Sequence, residues 1–289
     1  MRNRRPVRRT GWARSAPVRG LREFVQVVGI KNVMHKELAV EVYGLDELGQ
    51  LDGPALIVAN HASHLDTAVL VSTLPAKRRR RTAVGVMSDY FFDSWVRTGA
   101  SAIAFNAFPI GTFPIGTFPI GAFPIGAFPV EQGDGALSST PAKLLVKGWS
   151  VVIFPEGTRS NDGFVRPFRL SAAQLAVDCQ VPVVPVGILG TYAAMPRGSY
   201  WPVPGRPRVS VRYGTPILAR SDETVDEFGA KIVDAVRQLL AEDAATWWKT
   251  KRGLAEAPEP PAASWRRIWQ QSDSPVKGGK LPELHIWRR

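Results

Sequence analysis

The chain of 289 residues, 45% hydrophobic and 9% aromatic, is long enough to bury one sizeable core and short for two full domains. A single cysteine, Cys179, excludes an intrachain disulfide framework and a multi-cysteine metal site, and four histidines leave little room for a histidine-rich metal cage. The formal net charge of +12 is concentrated in seven arginines within 1–20 and five consecutive basic residues at 77–81, so that 21–76 and 82–248 together carry 16 basic against 21 acidic residues.

In chain order, the arginine-rich start is followed neither by an apolar run nor by a small-residue cleavage site, so no secretory signal is expected. No breaker-free apolar stretch reaches the ~18 residues of a conventional transmembrane helix. Residues 20–36 place Leu21, Phe24, Val25 and Val28 at helical spacing, which predicts a helix that belongs to the core or lies on a membrane. Residues 38–43 alternate as a strand, and 55–59 (ALIVA) form a continuous apolar run typical of a buried one. A helix is expected over 67–74, with Ser63 as its N-cap and Asp66 as an acid in its first turn.

Four Phe-Pro-Ile-Gly-Thr/Ala pentads occupy 108–127, and Phe128-Pro129 begins a fifth. Proline every five residues forbids a regular helix. Excising twenty residues leaves a smooth AFNAFPVEQG, so 108–129 reads as a tandem expansion inside a loop, either dispensable or a membrane-contacting flap. Further strands are expected at 150–154, at 181–188 (VPVVPVGI), whose prolines suggest an edge, and at 208–213. Helices are expected at 170–177 and 221–248, the latter capped at Ser221 and carrying Phe228, Ile232, Val236, Leu239 and Leu240 on one face. Strands alternating with helices imply an α/β sheet covered on both faces.

Two clusters carry chemistry. A histidine is the commonest general base near neutral pH, and a carboxylate fixes its tautomer and stabilises the imidazolium. His61 and Asp66 suit those roles if His61 sits in the turn before the helix and Asp66 reaches back from its first turn. His64 lacks a carboxylate at that offset. The second cluster, FPEGTRS at 154–160, follows a buried strand, where α/β sheets place ligand loops. There Gly157 permits close backbone approach, Thr158 offers a hydroxyl and Arg159 a planar fork for a phosphate, with Arg166 and Arg169 close behind.

Asn60-His61 with Asp66, then FPEGTRS, then VPVVPVGI, in that order over roughly 38–218, resembles the lysophospholipid and glycerol-phosphate acyltransferase family, which includes 1-acyl-glycerol-3-phosphate acyltransferases. The resemblance implies that His61 is the general base and Asp66 orients it. It implies that Glu156, Gly157, Thr158 and Arg159 bind a phosphate-bearing acceptor, and that Pro185 lies in a block associated with substrate positioning. Gln132 stands where the family usually places a further arginine, so either the acceptor carries less negative charge or Arg166 or Arg169 compensates. The implied reaction is direct transfer from acyl-CoA or acyl carrier protein to a lysophospholipid hydroxyl, without a cofactor or an acyl-enzyme. Backbone N–H groups at the helix start would serve the oxyanion.

The expected fold is therefore α/β, a single glycerol-phosphate acyltransferase-like domain with a mixed sheet, over 21–248. A disordered basic arm (1–20) and a Pro- and Trp-containing basic tail (249–289) flank it. Anionic membrane lipids are the expected surface partner, nucleic acid is not, and the expected location is the cytoplasmic face of the cell membrane, peripherally attached. Trp265-Arg266-Arg267-Ile268-Trp269 reads as an interfacial anchor, and Cys179 as a structural thiol. A different polar lysolipid as acceptor, or a non-catalytic membrane-surface binder, are the alternatives. A hydrolase is disfavoured because no nucleophile elbow or metal-ligand cluster accompanies the His-Asp pair.

Overall fold

The computed structural model describes residues 10–49, 51–87, 95–110, 140–196 and 198–244. The chain divides into two compact units, Met1–Pro258 and Glu259–Arg289, and all described residues lie in the first. Residues 1–9, the repeat beyond Ile110, Gln132, Trp247, Trp248 and the tail with its Trp-Arg anchor lie outside the described residues.

A 3-10 turn, Gly11–Arg14, leads into a long helical run: α1 (Ala16–Phe24), a π-helical stretch (Val25–Lys31) and α2 (Asn32–Glu37). Then come β1 (Ala39–Tyr43), α3 (Leu45–Gly49), β2 (Leu56–Ala59), α4 (Leu65–Thr73), α5 (Ala76–Arg79) and β3 (Thr82–Met87). They are followed by α6 (Trp95–Phe105), β4 (Phe108–Ile110), α7 (Thr140–Val146), β5 (Ser150–Ile153) and α8 (Ser171–Cys179). Last are β6 (Val183–Leu189), α9 (Thr191–Ala194), β7 (Arg208–Tyr213) and α10 (Val225–Ala244).

The described strands make one seven-stranded sheet in the order β1-β7-β6-β2-β5-β3-β4, parallel except for the β6–β7 pair, which is the mixed sheet expected. Alternation along the strands divides the core. Ile57 and Ala59 face α4 and α2, packing with Val69, Leu70 and Met34. Leu56 and Val58 face the opposite layer of α7, α8 and α10, with Leu145, Leu175, Phe228 and Ile232. The central strands β2 and β5 are buried along their whole length, as an apolar run covered on both faces must be.

Four expectations change. First, 181–188 is not an edge: β6 lies between β2 and β7. A strand residue directs its N–H and C=O to the same side, and Pro185 O accepts from Gly214 N at 2.9 Å, one residue beyond the last β7 partner, Tyr213. The missing donor thus falls where β7 has already ended, so the proline costs no ladder bond.

Second, 10–20 is not a disordered arm. Ala13 is fully buried, and Arg22 anchors the segment by donating through Nη2 to Ala13 O. Third, Phe108 is part of the core rather than of an inserted loop: it is fully buried, and β4 pairs in parallel with β3. Fully buried Asn106, at φ 51°, turns the chain from α6 into β4 and donates to Thr82 O at 3.1 Å. Fourth, the final helix is capped by Thr224, not Ser221. Thr224 Oγ1 accepts from Glu227 N while Glu227 Oε2 accepts from Thr224 N at 2.9 Å, a reciprocal capping box.

The helix expected at 20–36 exists, but its apolar stripe does not enter the core. Leu21, Phe24, Val27 and Val28 are exposed, Phe24 to 63%. The buried face instead carries Arg22 and Gln26, which donate to the carbonyls of Ala102, Ile103 and Ala104 at the end of α6. Those carbonyls have no partner within their own helix, so two polar side chains cap α6 and keep the apolar stripe outward.

Candidate active site

Tracing the chain out of β2 shows how the site is assembled. Asn60, buried directly after the last apolar strand residue, donates through Nδ2 to Ile188 O and accepts through Oδ1 from Ile188 N, both at 2.8 Å. Its amide imitates one more strand residue and holds the β2 end against β6. His61 follows in the turn, and Asp66, fully buried, comes from the first turn of α4. His61 Nδ1 lies 2.8 Å from Asp66 Oδ2. A carboxylate only accepts, so Nδ1 carries the proton and Nε2 keeps its lone pair.

The same Oδ2 accepts from Ala62 N at 2.7 Å and Ser63 N at 2.8 Å, so two backbone donors fix the carboxylate that orients the imidazole. Asp66 is the first-turn acid that the sequence suggested, whereas the N-cap position of α4 falls at His64, not at Ser63, and carries no side-chain cap bond. Ser63 Oγ instead donates to Met195 O at 2.8 Å, tying the turn to the loop after α9. This arrangement corrects one expectation. The N–H groups of residues 61, 62, 63, 65 and 66 are all engaged, and they do not form an oxyanion hole.

The FPEGTRS loop, from the end of β5, clamps His61 on both sides of its peptide. His61 N donates to Glu156 Oε1 at 2.7 Å, and His61 O accepts from Ser160 N at 2.8 Å. The ring stacks on Phe154, with centroids 4.3 Å apart and planes at 23°. Backbone, ring face and Nδ1 are all fixed, and the side chain remains 18% exposed.

Glu156 is therefore not a surface ligand for an acceptor. It is buried, and its second oxygen accepts from Arg166 N at 3.0 Å. Burial pushes its carboxyl up to about 8, outweighing the two backbone N–H groups, which favour the charged form. Gly157 adopts φ +72°, and Thr158 and Arg159 are half-buried on the same loop. The basic run at 77–81 is partly taken up inside the fold. Arg78 donates to Gly53 O, Leu51 O and Ser150 Oγ, buried Arg79 donates to Leu74 O, and Arg80 pairs with Glu23. Lys77 and Arg81 are exposed. Cys179 ends α8 half-buried, its thiol pushed up first by burial, which suits a structural role.

Comparison with known proteins identifies the setting of this His-Asp pair. The family model described as Acyltransferase matches residues 39–189. The chain belongs to the acyltransferase family. Among relatives, the chloroplastic 1-acyl-sn-glycerol-3-phosphate acyltransferase BAT2 of Brassica napus is 30% identical over 159 residues, 55% of this chain and 40% of that protein. The 1-acyl-sn-glycerol-3-phosphate acyltransferase of Limnanthes alba is 39% identical over 95 residues, 32% of this chain and 31% of that one. The chain thus spans less than half the length of these relatives. The crystal structure of the 1-acyl-sn-glycerophosphate acyltransferase PlsC from Thermotoga maritima shares the fold, with a TM-score of 0.58 at 23% identity over 83% of this chain and 85% of that one. The family match spans β1 to β6, and so contains both halves of the His61 clamp.

The sequence pointed to His61 and Asp66 and the structure joins them; it did not reveal Asn60, Phe154 or the structural use of Glu156. A buried asparagine after an apolar strand was the available signal for the first. Nothing local marked the others, because their partners lie far along the chain.

Proposed function

We propose that this chain is an O-acyltransferase that moves a fatty acyl group from a thioester donor, acyl-CoA or acyl carrier protein, to the hydroxyl of 1-acyl-glycerol-3-phosphate, giving phosphatidate. The observation that carries the reading is the His61 Nδ1–Asp66 Oδ2 contact of 2.8 Å inside a turn clamped by the FPEGTRS loop. The names of the relatives supply the acceptor.

In this reading His61 Nε2 removes the proton from the acceptor hydroxyl as its oxygen attacks the thioester carbonyl. Asp66 stabilises the imidazolium, and the tetrahedral intermediate collapses with loss of the thiolate, which takes up the proton. Gly157, Thr158 and Arg159 meet the acceptor's phosphate, while Glu156 holds the base. No covalent acyl-enzyme is needed, and no cofactor takes part.

The membrane is the second element of the proposal. Among the described residues no helix is long and apolar enough to cross a bilayer. The exposed stripe of Leu21, Phe24, Val27 and Val28, with Arg19 and Lys31 also exposed on the same helical run, suits a helix lying in an anionic interface. Peripheral attachment at the cytoplasmic face would present the active site to a lipid acceptor. Transfer of labelled acyl groups from acyl-CoA to a panel of lysolipids, using purified protein, tests the reaction. Selective transfer to the phosphate-bearing monoacyl acceptor supports it; transfer to none by folded, vesicle-bound protein defeats it.

A further inference from the structure

Arg169 lies outside the motif residues, directly before α8, yet its backbone N–H donates to Pro155 O at 3.0 Å, one residue from the glutamate that holds His61. A Cβ placed on Gly157 would lie 2.8 Å from Arg169 Cζ, 2.8 Å from Nε and 3.0 Å from Nη2. Three nearly equal distances mean that the guanidinium lies flat over the Gly157 Cα. Its N–H donors, which lie in the plane of the fork, are therefore directed sideways rather than into the loop. The residue is exposed, and among the described residues its guanidinium makes no hydrogen bond or ion pair.

The surrounding acids are committed elsewhere. Glu156 gives both oxygens to backbone N–H groups, and Asp162 accepts from Ser160 Oγ and Phe164 N. Asp226 lines the same apolar cavity of about 250 Å³ as Arg169, between α8 and α10, without forming an ion pair with it. A flat, pre-positioned fork at the carboxyl end of a central strand, with its charge unmatched, is built to receive a planar array of anionic oxygens.

We propose that Arg169 is a substrate-binding residue that takes a phosphate group of a bound substrate, lying on the loop beside Gly157, whose φ of +72° itself favours glycine. The inference rests on the acyl-transfer reading of the site and adds to it a cation outside the recognised motifs. The phosphate belongs either to the acceptor's head or to the donor's coenzyme. A lysine at 169 cannot reproduce the flat packing or the two parallel donors, so it restores part of the function only.

Calorimetric titration of the full chain with sn-glycerol 3-phosphate and, separately, with coenzyme A tests this without requiring turnover. Arg169→Ala is expected to weaken one of the two about tenfold, the equivalent of about 1.4 kcal/mol, while changing the other less than twofold; Arg169→Lys falls between. The affected ligand identifies the source of the phosphate. Gly157→Ala, which drives a Cβ into the guanidinium, is expected to weaken the same ligand. Unchanged binding of both ligands in folded Arg169→Ala overturns the inference, as does failure of the wild type to bind either. Wild-type protein that binds but transfers no acyl group defeats the reaction reading while leaving the role of Arg169 intact.

Discussion

The His61 turn and the N-terminal helix both bury polar side chains, and they do so to opposite ends. At the turn, Asp66, Glu156 and Asn60 are buried to hold one partly exposed histidine still; Asp66 Oδ2, both Glu156 oxygens and Asn60 Oδ1 accept from backbone N–H groups. At the helix, Arg22 and Gln26 are buried to cap α6, and the apolar residues of the same helix are left facing outward. In both places the cost of burying polar groups is offset by partners that would otherwise go unsatisfied. The difference is what remains exposed: a base in one region, an apolar stripe in the other.

The largest expected effect tests whether the turn is chemical rather than merely structural. His61→Ala and Asp66→Asn should each lower acyl transfer about a hundredfold to ten-thousandfold, with far-UV circular dichroism unchanged. A folded His61→Ala variant with wild-type turnover would remove the chemistry from that side of the comparison. Next, two substitutions two residues apart, on opposite faces of one helix, should separate stability from surface binding. Arg22→Leu strands the Ala102 and Ile103 carbonyls and should destabilise the chain by about 1–3 kcal/mol in urea unfolding. Phe24→Ser should change stability by less than about 0.5 kcal/mol yet reduce co-sedimentation with anionic vesicles. Equal vesicle binding by Phe24→Ser and wild type would break the assignment of the outward stripe.

A smaller effect concerns the buried carboxyl behind His61. Its folded value of about 8 exceeds the ordinary carboxyl value of 4.5, so between those pH values the folded chain holds a proton that the unfolded chain has released. Its contribution to stability therefore falls as pH rises through that window and is constant below and above it. Glu156→Gln, which does not titrate, should flatten the decline of unfolding free energy between pH 5 and 8; parallel curves for the two proteins would remove Glu156 from the buried side of the comparison.

The smallest effect is expected from deleting 108–127. The pentad period slides Phe128-Pro129-Val130 into the places of Phe108-Pro109-Ile110, so β4 is rebuilt with an aromatic residue where Phe108 is buried. Stability and transfer should change little, whereas deleting 106–125, which keeps the pentad frame but puts Gly126 in the place of Asn106 and so removes its bond to Thr82 O, should weaken the β3–β4 edge.

Much of this was legible in advance, and particular residues show where it stopped. Continuous apolar runs predicted β2 and β5, and helical spacing predicted α4, α8 and α10, because period and length report local structure directly. Spacing likewise paired His61 with Asp66, since both belong to one turn. The burial of Glu156 has no local signal: its partner, the His61 peptide, lies 95 positions away, and a surface carboxylate and a buried clamp have the same letter. The apolar stripe at 21–28 was left between core and membrane because periodicity gives a face but not what covers it.

The charge of +12 makes the same division. By itself the sequence determined its amount, its clustering and the order of strands, helices and motifs. Only the tertiary structure decided that Arg22, Arg78 and Arg79 serve carbonyls inside the fold while Arg169 lies open beside the His61 turn. Composition and period are properties of neighbours along the chain; the cost of burying a charge depends on the oxygens that long-range folding brings to meet it.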